Sequence, residues 1–176
     1  MQEQGIHITK VGAERVDDLG PLARSMHAHH LTVDPAIPGI PPRDEDGWWA
    51  LRRDRYHRWL EAPDAFALVA ETGEPGAGPV GYAVVSIHGG PDDSHVTGER
   101  FAELQSLAVL EGMRGAGVGT ALLRAVYAEL RALGIEELAI GVLATNHDAL
   151  RLYEREGFTP WVVIALGKVP PEPSDR

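Results

Sequence analysis

Apolar and polar residues along this chain follow two rhythms, period two in some stretches and period three to four in others, and together they predict the elements. "GIHITKV" (5–11) alternates and predicts a first strand. Asp17 and Asp18 stand where they could cap a helix running through "LARSMHAHHL". "TVDPAIPGIPPRDEDG" (32–47), rich in proline, glycine and acid, predicts irregular surface chain. Asp46 offers a cap for a second helix over "GWWALRRDRYHRWLEA", where Trp48, Leu51, Tyr56 and Trp59 fall at mixed helical spacings and arginines fill the rest. "FALVAET" and "VGYAVVSIHG" are β-rich runs that the turn "GEPGAGP" joins as a hairpin.

The second half continues the pattern. After the polar loop "GPDDSHVTGER", the run "FAELQSLAVL" predicts another strand. Leu122, Leu123, Val126, Tyr127 and Leu130 form the stripe of an amphipathic helix over 118–133, closed by Gly134. "ELAIGVLATN" predicts a buried strand, and "HDALRLYEREG" a short helix with Ala149, Leu152 and Tyr153 on one face, closed by Gly157. "FTPWVVIALGK" predicts the last strand, whose apolar "WVVIAL" offers a homodimer interface, and "VPPEPSDR" (169–176) a disordered tail. No repeat is visible. Strands followed by helices and again by strands imply one α/β domain over 1–176, with a parallel pair joined by the helix at 118–133.

Composition narrows the function. At 176 residues the chain can bury a substantial core. Its 26 acidic and 16 basic residues give a net charge of -10, which argues against nucleic acid and anionic membranes as partners. The same balance favours a cationic or neutral acceptor. With no cysteine, disulfides, thiolate metal sites and a cysteine nucleophile are excluded. "MQEQGIHITK" lacks an apolar signal core, and no apolar run approaches the roughly 18 residues of a spanning helix, so a soluble cytoplasmic protein is expected.

The densest candidate chemistry is "MRGAGVGTALL" (113–123). A P-loop would place a lysine after the last glycine, but Thr120 follows Gly119 directly. A dinucleotide fingerprint counted from Gly115 and Gly117 meets Thr120 where its third glycine belongs, and the acids Glu136 and Glu137 fall at the start of the next strand rather than its end. A simpler site survives: free backbone N–H groups at a helix N-terminus behind Arg114, suited to a phosphate. A ligand-free strand-to-helix turn is the bland alternative.

"LQSLAVLEGMRGAGVGTALLRAVYAEL" resembles the acyl-CoA segment of the GNAT (Gcn5-related) N-acetyltransferases, whose Q/R-x-x-G-x-G/A signature is met by Arg114, Gly117 and Gly119. "NHDALRLYEREGF" matches the family's N-x-x-A-x-x-L-Y-x-x-x-G-F from Asn146 to Phe158. The specific resemblance covers about 101–158. It implies a GNAT fold: a mixed central sheet of about six or seven strands flanked by helices, with splayed parallel strands forming the acyl-CoA groove. An acceptor-side region over about 1–65 and an acyl-CoA core over about 100–160 are expected.

By the same resemblance, Arg114, Gly115, Ala116, Gly117, Val118, Gly119 and Thr120 wrap the pyrophosphate of acetyl-CoA. Leu107, Ala108 and Val109 line the pantetheine arm, Asn146 contacts the cofactor, and the Leu107 N–H faces the thioester oxygen. Tyr153 matches the family's frequent general acid. Glu103, in "FAEL", matches the base of the histone-acetylating branch. Period-two alternation puts its side chain on one face with Gln105 and Leu107. His88, His95 or ordered water are the alternative bases.

His27, His29 and His30 lie close together, but no i, i+4 partner completes a metal pair; no metal is expected, and these histidines are read as exposed or acceptor-lining. Asp34, Asp44, Glu45 and Asp46, with two tryptophans, suit a cationic amine, or equally form a solvated acidic loop beside core tryptophans. The expected reaction is acetyl transfer from acetyl-CoA to a primary amine of a small molecule. A protein or peptide acceptor, or a non-catalytic acyl-CoA sensor, are the alternatives.

Overall fold

The structure is a computed structural model that describes residues 5–73, 76–90 and 95–170. Its sheet has five strands in the order β1 (Ile6–Val11), β2 (Phe66–Thr72), β3 (Pro79–Gly89), β4 (Arg100–Val109) and β5 (Leu138–Ile140). The first four pair antiparallel, and β5 joins β4 in parallel. Helices α1 (Gly20–Val33) and α2 (Glu45–Leu60) cover one face; α3 (Val118–Ala132) and α4 (His147–Arg155) cover the other. The hairpin, the β4–α3–β5 crossover and both helices after β4 stand where the hydrophobic pattern predicts them, but the strand expected over 137–146 is only the three half-buried residues of β5, because the chain leaves β4 after Ile140.

Two cores follow from this layering. Leu122, Leu123 and Val126 of α3 pack with Leu68, Ala83, Val85 and Leu104, all at most 2 % exposed. Each leucine and valine among them contributes about 1.5–3 kcal/mol by leaving water. On the opposite face Tyr56 and Trp49 of α2 and Leu19, Leu22 and Ala23 meet Val69, Tyr82 and Val84.

Four other expectations are corrected. Asp17 and Asp18 sit in a 3-10 turn, Asp17–Leu19, and the N-cap of α1 is Leu19 with no side-chain bond. The cap of α2 is Asp44 rather than Asp46: its carboxylate accepts the Gly47 N–H at 2.7 Å, and Asp46 lies in the first turn. Alternation does not carry from Glu103 to Leu107, because β4 contains a bulge between them.

The fourth is the last strand. Residues 158–168 pair with no strand, so the sheet has five strands rather than six or seven. Pro160 lacks an amide hydrogen, and β5 offers only three paired residues as an edge. The segment instead runs past His95, whose ring meets Trp161 edge-on at 5.3 Å, to Gly39, against which Lys168 packs. Val162, Val163, Ile164 and Leu166 remain exposed. Of the expected disordered tail, residues 171–176 lie outside the described residues.

Candidate active site

The site is organised by the bulge. Val84 pairs with Ser106 and Val85 with Leu104, so Gln105 is the extra residue on β4. Before it, Ala102 and Leu104 face α3; after it, Leu107 and Val109 do, while Ser106 and Ala108 turn toward α1 and α2. A buried relay pins this kink. The Tyr56 hydroxyl is 2.9 Å from that of Tyr82 and donates to Ser106 Oγ at 2.7 Å, and Ser106 donates to the Gln105 carbonyl at 2.7 Å. Burial raises both phenols above their ordinary range, so the relay stays protonated at neutral pH.

Past the bulge β4 and β5 part company. Their pairing ends at Leu104 and Ile140, and a cleft of about 340 Å³ opens between Gln105–Leu107 and Gly141–Leu143. The Leu110 N–H donates to Val80 O at 2.8 Å. Antiparallel alternation therefore turns the N–H groups of Leu107 and Val109 away from β3, toward the side β5 has vacated. Ala108 differs from its two neighbours: its peptide groups face β3 and its side chain is buried among the α1/α2 core. Edge amides beside a cleft need polar partners, which an amide-bearing arm would supply.

The loop after β4 leads to the N-terminus of α3. Gly115 and Gly117 adopt φ of +75° and +83°, and a Cβ at either would point into open space. Gly117 is the N-cap and carries no side chain to satisfy the helix. The first N–H taken by the helix is that of Ala121, bonded to Gly117 O at 2.9 Å. The amides of Val118, Gly119 and Thr120 thus lack intrahelical acceptors and collect the positive end of the helix dipole. Those of Arg114 and Ala116 are spent on turn bonds to Glu111 and Met113. The Arg114 guanidinium bonds Val109 O at 3.4 Å, which folds the side chain back toward β4.

Asn146 and Tyr153 line the cleft from the α4 side. Asn146 caps α4 by accepting the Ala149 N–H at 3.2 Å. Tyr153 is 8 % exposed and edge-on to Phe158; burial, with Tyr127 nearby, raises its phenol well above 10. Glu103 lies on the α1/α2 face in a polar cluster. Its carboxylate is 3.2 Å from His88 Nε2, which is 2.9 Å from Ser86 Oγ, and Gln105 Nε2 donates to that same hydroxyl. Of the two alternative bases, His88 thus adjoins Glu103, while His95 meets Trp161.

The α1/α2 wall differs from expectation. His27 is buried, stacked on Trp48 with its Nε2 3.0 Å from Arg43 O, whereas His30 lines the cleft. Among the described residues no cluster of His, Asp and Glu is arranged to hold a metal ion. The acids are engaged elsewhere: Asp44 caps α2, Glu45 and Asp46 pair with Arg24, and Asp34 accepts the Ala36 N–H. Sequence reasoning missed Arg52 and Ser106, both of which line the cleft. The signal for Arg52 was present: Trp48, Arg52, Tyr56 and Trp59 share one helical face.

Residues 27–158 match the model of the acetyltransferase (GNAT) family. The chain belongs to the GNAT family. It is similar to the mycothiol acetyltransferase of Acidothermus cellulolyticus, with 33% identity over 126 residues, covering 66% of this chain and 37% of that protein. This GNAT chain spans less than half the length of the relatives of that name from Acidothermus cellulolyticus and Thermobispora bispora. Among solved structures it resembles a GCN5-related N-acetyltransferase from Ralstonia eutropha, with a TM-score of 0.71 and 18% identity over 93% of this chain and 99% of that one. It also resembles an aminoglycoside N-acetyltransferase in complex with CoA, with a TM-score of 0.66 and 18% identity over 96% and 99%. Those likenesses establish the GNAT fold. No helix among the described residues is long and apolar enough to cross a membrane.

Proposed function

We propose that this GNAT chain transfers an acetyl group from acetyl-CoA to the primary amine of a small molecule, by direct attack within a ternary complex. The carrying observation is the cleft that brings the Gln105–Leu107 edge of β4 and Asn146 and Tyr153 of α4 together with Met26, His30 and Arg52 of the α1/α2 wall, with the glycine-built N-terminus of α3 following the same strand. The residues present fit acetyl-CoA: the Gly117–Thr120 turn suits a pyrophosphate, and the edge amides of Leu107 and Val109 suit the amides of a pantetheine arm. Bound there, acetyl-CoA supplies an activated acetyl thioester. Similarity to proteins named mycothiol acetyltransferase supports a small-molecule acceptor.

Each residue then has a task. An alkylammonium, with a pKa near ~10.4, holds its proton by about 4–5 kcal/mol at pH 7, so the proton must be taken away. Glu103, with His88 against it, is the base, acting directly or through water. The Leu107 N–H stabilises the oxygen on which charge develops. A thiol near ~8.5 is a stronger acid than the buried Tyr153 phenol, so full proton transfer from Tyr153 is uphill by at least about 2 kcal/mol. Tyr153 therefore serves chiefly as a hydrogen-bond donor to the departing sulfur. Asn146 holds α4 in place beneath it.

Thiol release from acetyl-CoA, screened over amino acids, polyamines, aminoglycosides and short peptides, tests this reading, with CoA binding followed by calorimetry. Turnover on a small amine with micromolar CoA binding is the expected result. CoA binding with silence on every small amine and release with a protein acceptor would overturn the acceptor class; absence of CoA binding would overturn the reading entirely.

A further inference from the structure

We propose that Arg52 is the receptor for a carboxylate on the acceptor, so that the preferred acceptor is an amine that also bears a carboxylate, as a small amino acid does. This rests on reading the cleft as an acetyl-transfer site. Arg52 comes from the middle of α2 and lines the cleft beside Met26 and His30 of α1, with Gln105 and Ser106 on the β4 side. Its guanidinium carbon lies 5.2, 5.9 and 6.0 Å from the rings of Trp48, Tyr56 and Trp59. Contact with three rings holds the group without using its N–H donors, which remain for something else.

Among the described residues no carboxylate takes those donors as a counter-ion. Arg15, Arg24, Arg53, Arg100 and Arg151 each stand within 4 Å of a carboxylate; Arg52 meets none among the described residues. Not one residue lining the cleft is Asp or Glu. In a chain of net charge -10, the cleft thus carries one fixed charge, and it is positive. His30, pushed down to about 4 by burial and by the charges around it, adds no second one at neutral pH.

This electrostatics selects among amines. A polyamine or aminoglycoside would bring further cations toward Arg52, and Glu103, the acid assigned to the acceptor amine, does not line the cleft. A carboxylate would form a two-pronged, charge-assisted pair with the guanidinium, leaving the amine of the same molecule to reach the thioester. A single arginine, with no lysine beside it among the described cleft residues, suits a planar monoanion better than a phosphate dianion.

The test uses protein saturated with CoA, so that binding is read without turnover. L-Leucine, L-leucinamide, isoamylamine, spermidine and O-phosphoethanolamine are titrated by calorimetry. Leucine should bind about 10-fold or more tighter than its amide or the bare amine. Arg52→Gln should bring the three within about twofold while CoA affinity and melting temperature hold, and Arg52→Lys, which keeps charge but loses the fork, should fall between. Equal binding of the amide, tighter binding of spermidine or phosphoethanolamine, absence of binding by the amino acid, or a preference that survives in Arg52→Gln would each overturn the proposal. Thiol release is measured alongside. A carboxylate preference without release would overturn acetyl transfer and keep the receptor; release without a carboxylate preference would do the reverse.

Discussion

Glu103 and Leu107 stand four positions apart on β4, yet their side chains lie on opposite faces of the sheet. Glu103 faces α1 and α2, where it meets His88; Leu107 packs on the α3 side. Gln105, the inserted residue, is responsible. One strand thereby presents a carboxylate beside His88 on one face and edge amides toward the cleft.

The bulge is held by the Tyr82–Tyr56–Ser106 relay, so Tyr56→Phe should loosen it. Losing a buried hydroxyl that bonds two others costs about 1–3 kcal/mol. At this chain length each kcal/mol is worth roughly 2–4 °C, so thermal unfolding should fall by several degrees. An unchanged melting temperature would mean that the relay contributes nothing to the kink.

Glu103→Gln should lower kcat about 10²–10⁴-fold at neutral pH, with acetyl-CoA affinity unaltered by calorimetry. His88→Ala removes the group beside the carboxylate rather than the carboxylate, and a smaller loss of kcat with a displaced pH–rate profile is expected. Equal losses in both variants would assign the proton to the histidine instead.

Because the Tyr153 phenol is held protonated, Tyr153→Phe should reduce kcat without weakening CoA binding. A donor to a developing anion is worth about 2–4 kcal/mol, or roughly 10²–10³ in rate. A good leaving thiol should rescue part of the loss, so acetyl thioesters of increasingly acidic thiols provide the check. Full activity in the phenylalanine variant would reduce Tyr153 to a packing residue.

Gly117 is the left-handed N-cap of α3, with no heavy atom within 4 Å of a Cβ placed there. Gly117→Ala has room for its Cβ but takes on about 1–2 kcal/mol of strain, because that Cβ crowds the carbonyl in the left-handed conformation. Gly117→Glu adds the same strain plus a negative charge beside free amides. Comparing the two by calorimetry separates conformation from electrostatics: CoA affinity should fall modestly in the first and vanish in the second.

Burial, with His29, Arg52 and His27 adding to it, lowers His30 from the ordinary 6.5 to about 4. Between those values the unfolded chain binds a proton that the folded chain refuses, so stability falls as pH drops from about 6.5 toward 4. Urea midpoints at pH 7, 5.5 and 4.5 should decline more steeply for the native chain than for His30→Gln. Parallel curves would place the acid-sensitive step elsewhere.

The elements with a strong rhythm and a clear ending were legible in the sequence. The α3 stripe closed by Gly134, and the apolar face of α4 with its Gly157 end, are set by local chemistry. So was the turn at 114–120, because glycines at a helix start advertise bare amides. The bulge was not legible: period-two alternation carries no mark for one inserted residue, and only the pairing of Val84 and Val85 reveals it. Nor was the fate of "WVVIAL", whose composition asks for a strand but cannot supply a neighbouring edge. Acids beside tryptophans suggested a cationic cleft ligand, yet caps and the Arg24 pairs occupy those acids, and the charge left in the cleft is that of Arg52.

The cradle at the start of α3 is made of main-chain dipoles in a protein of net charge -10. Dipoles reach a few ångströms, whereas net charge reaches out to a Debye length, roughly 10 Å at 0.1 M salt. An approaching polyanion is repelled at a distance and gripped on arrival. Its encounter rate should therefore climb as salt is added, opposite to enzymes that steer their ligands by charge, while its departure rate stays nearly flat. Selection among anions is left to shape at close quarters.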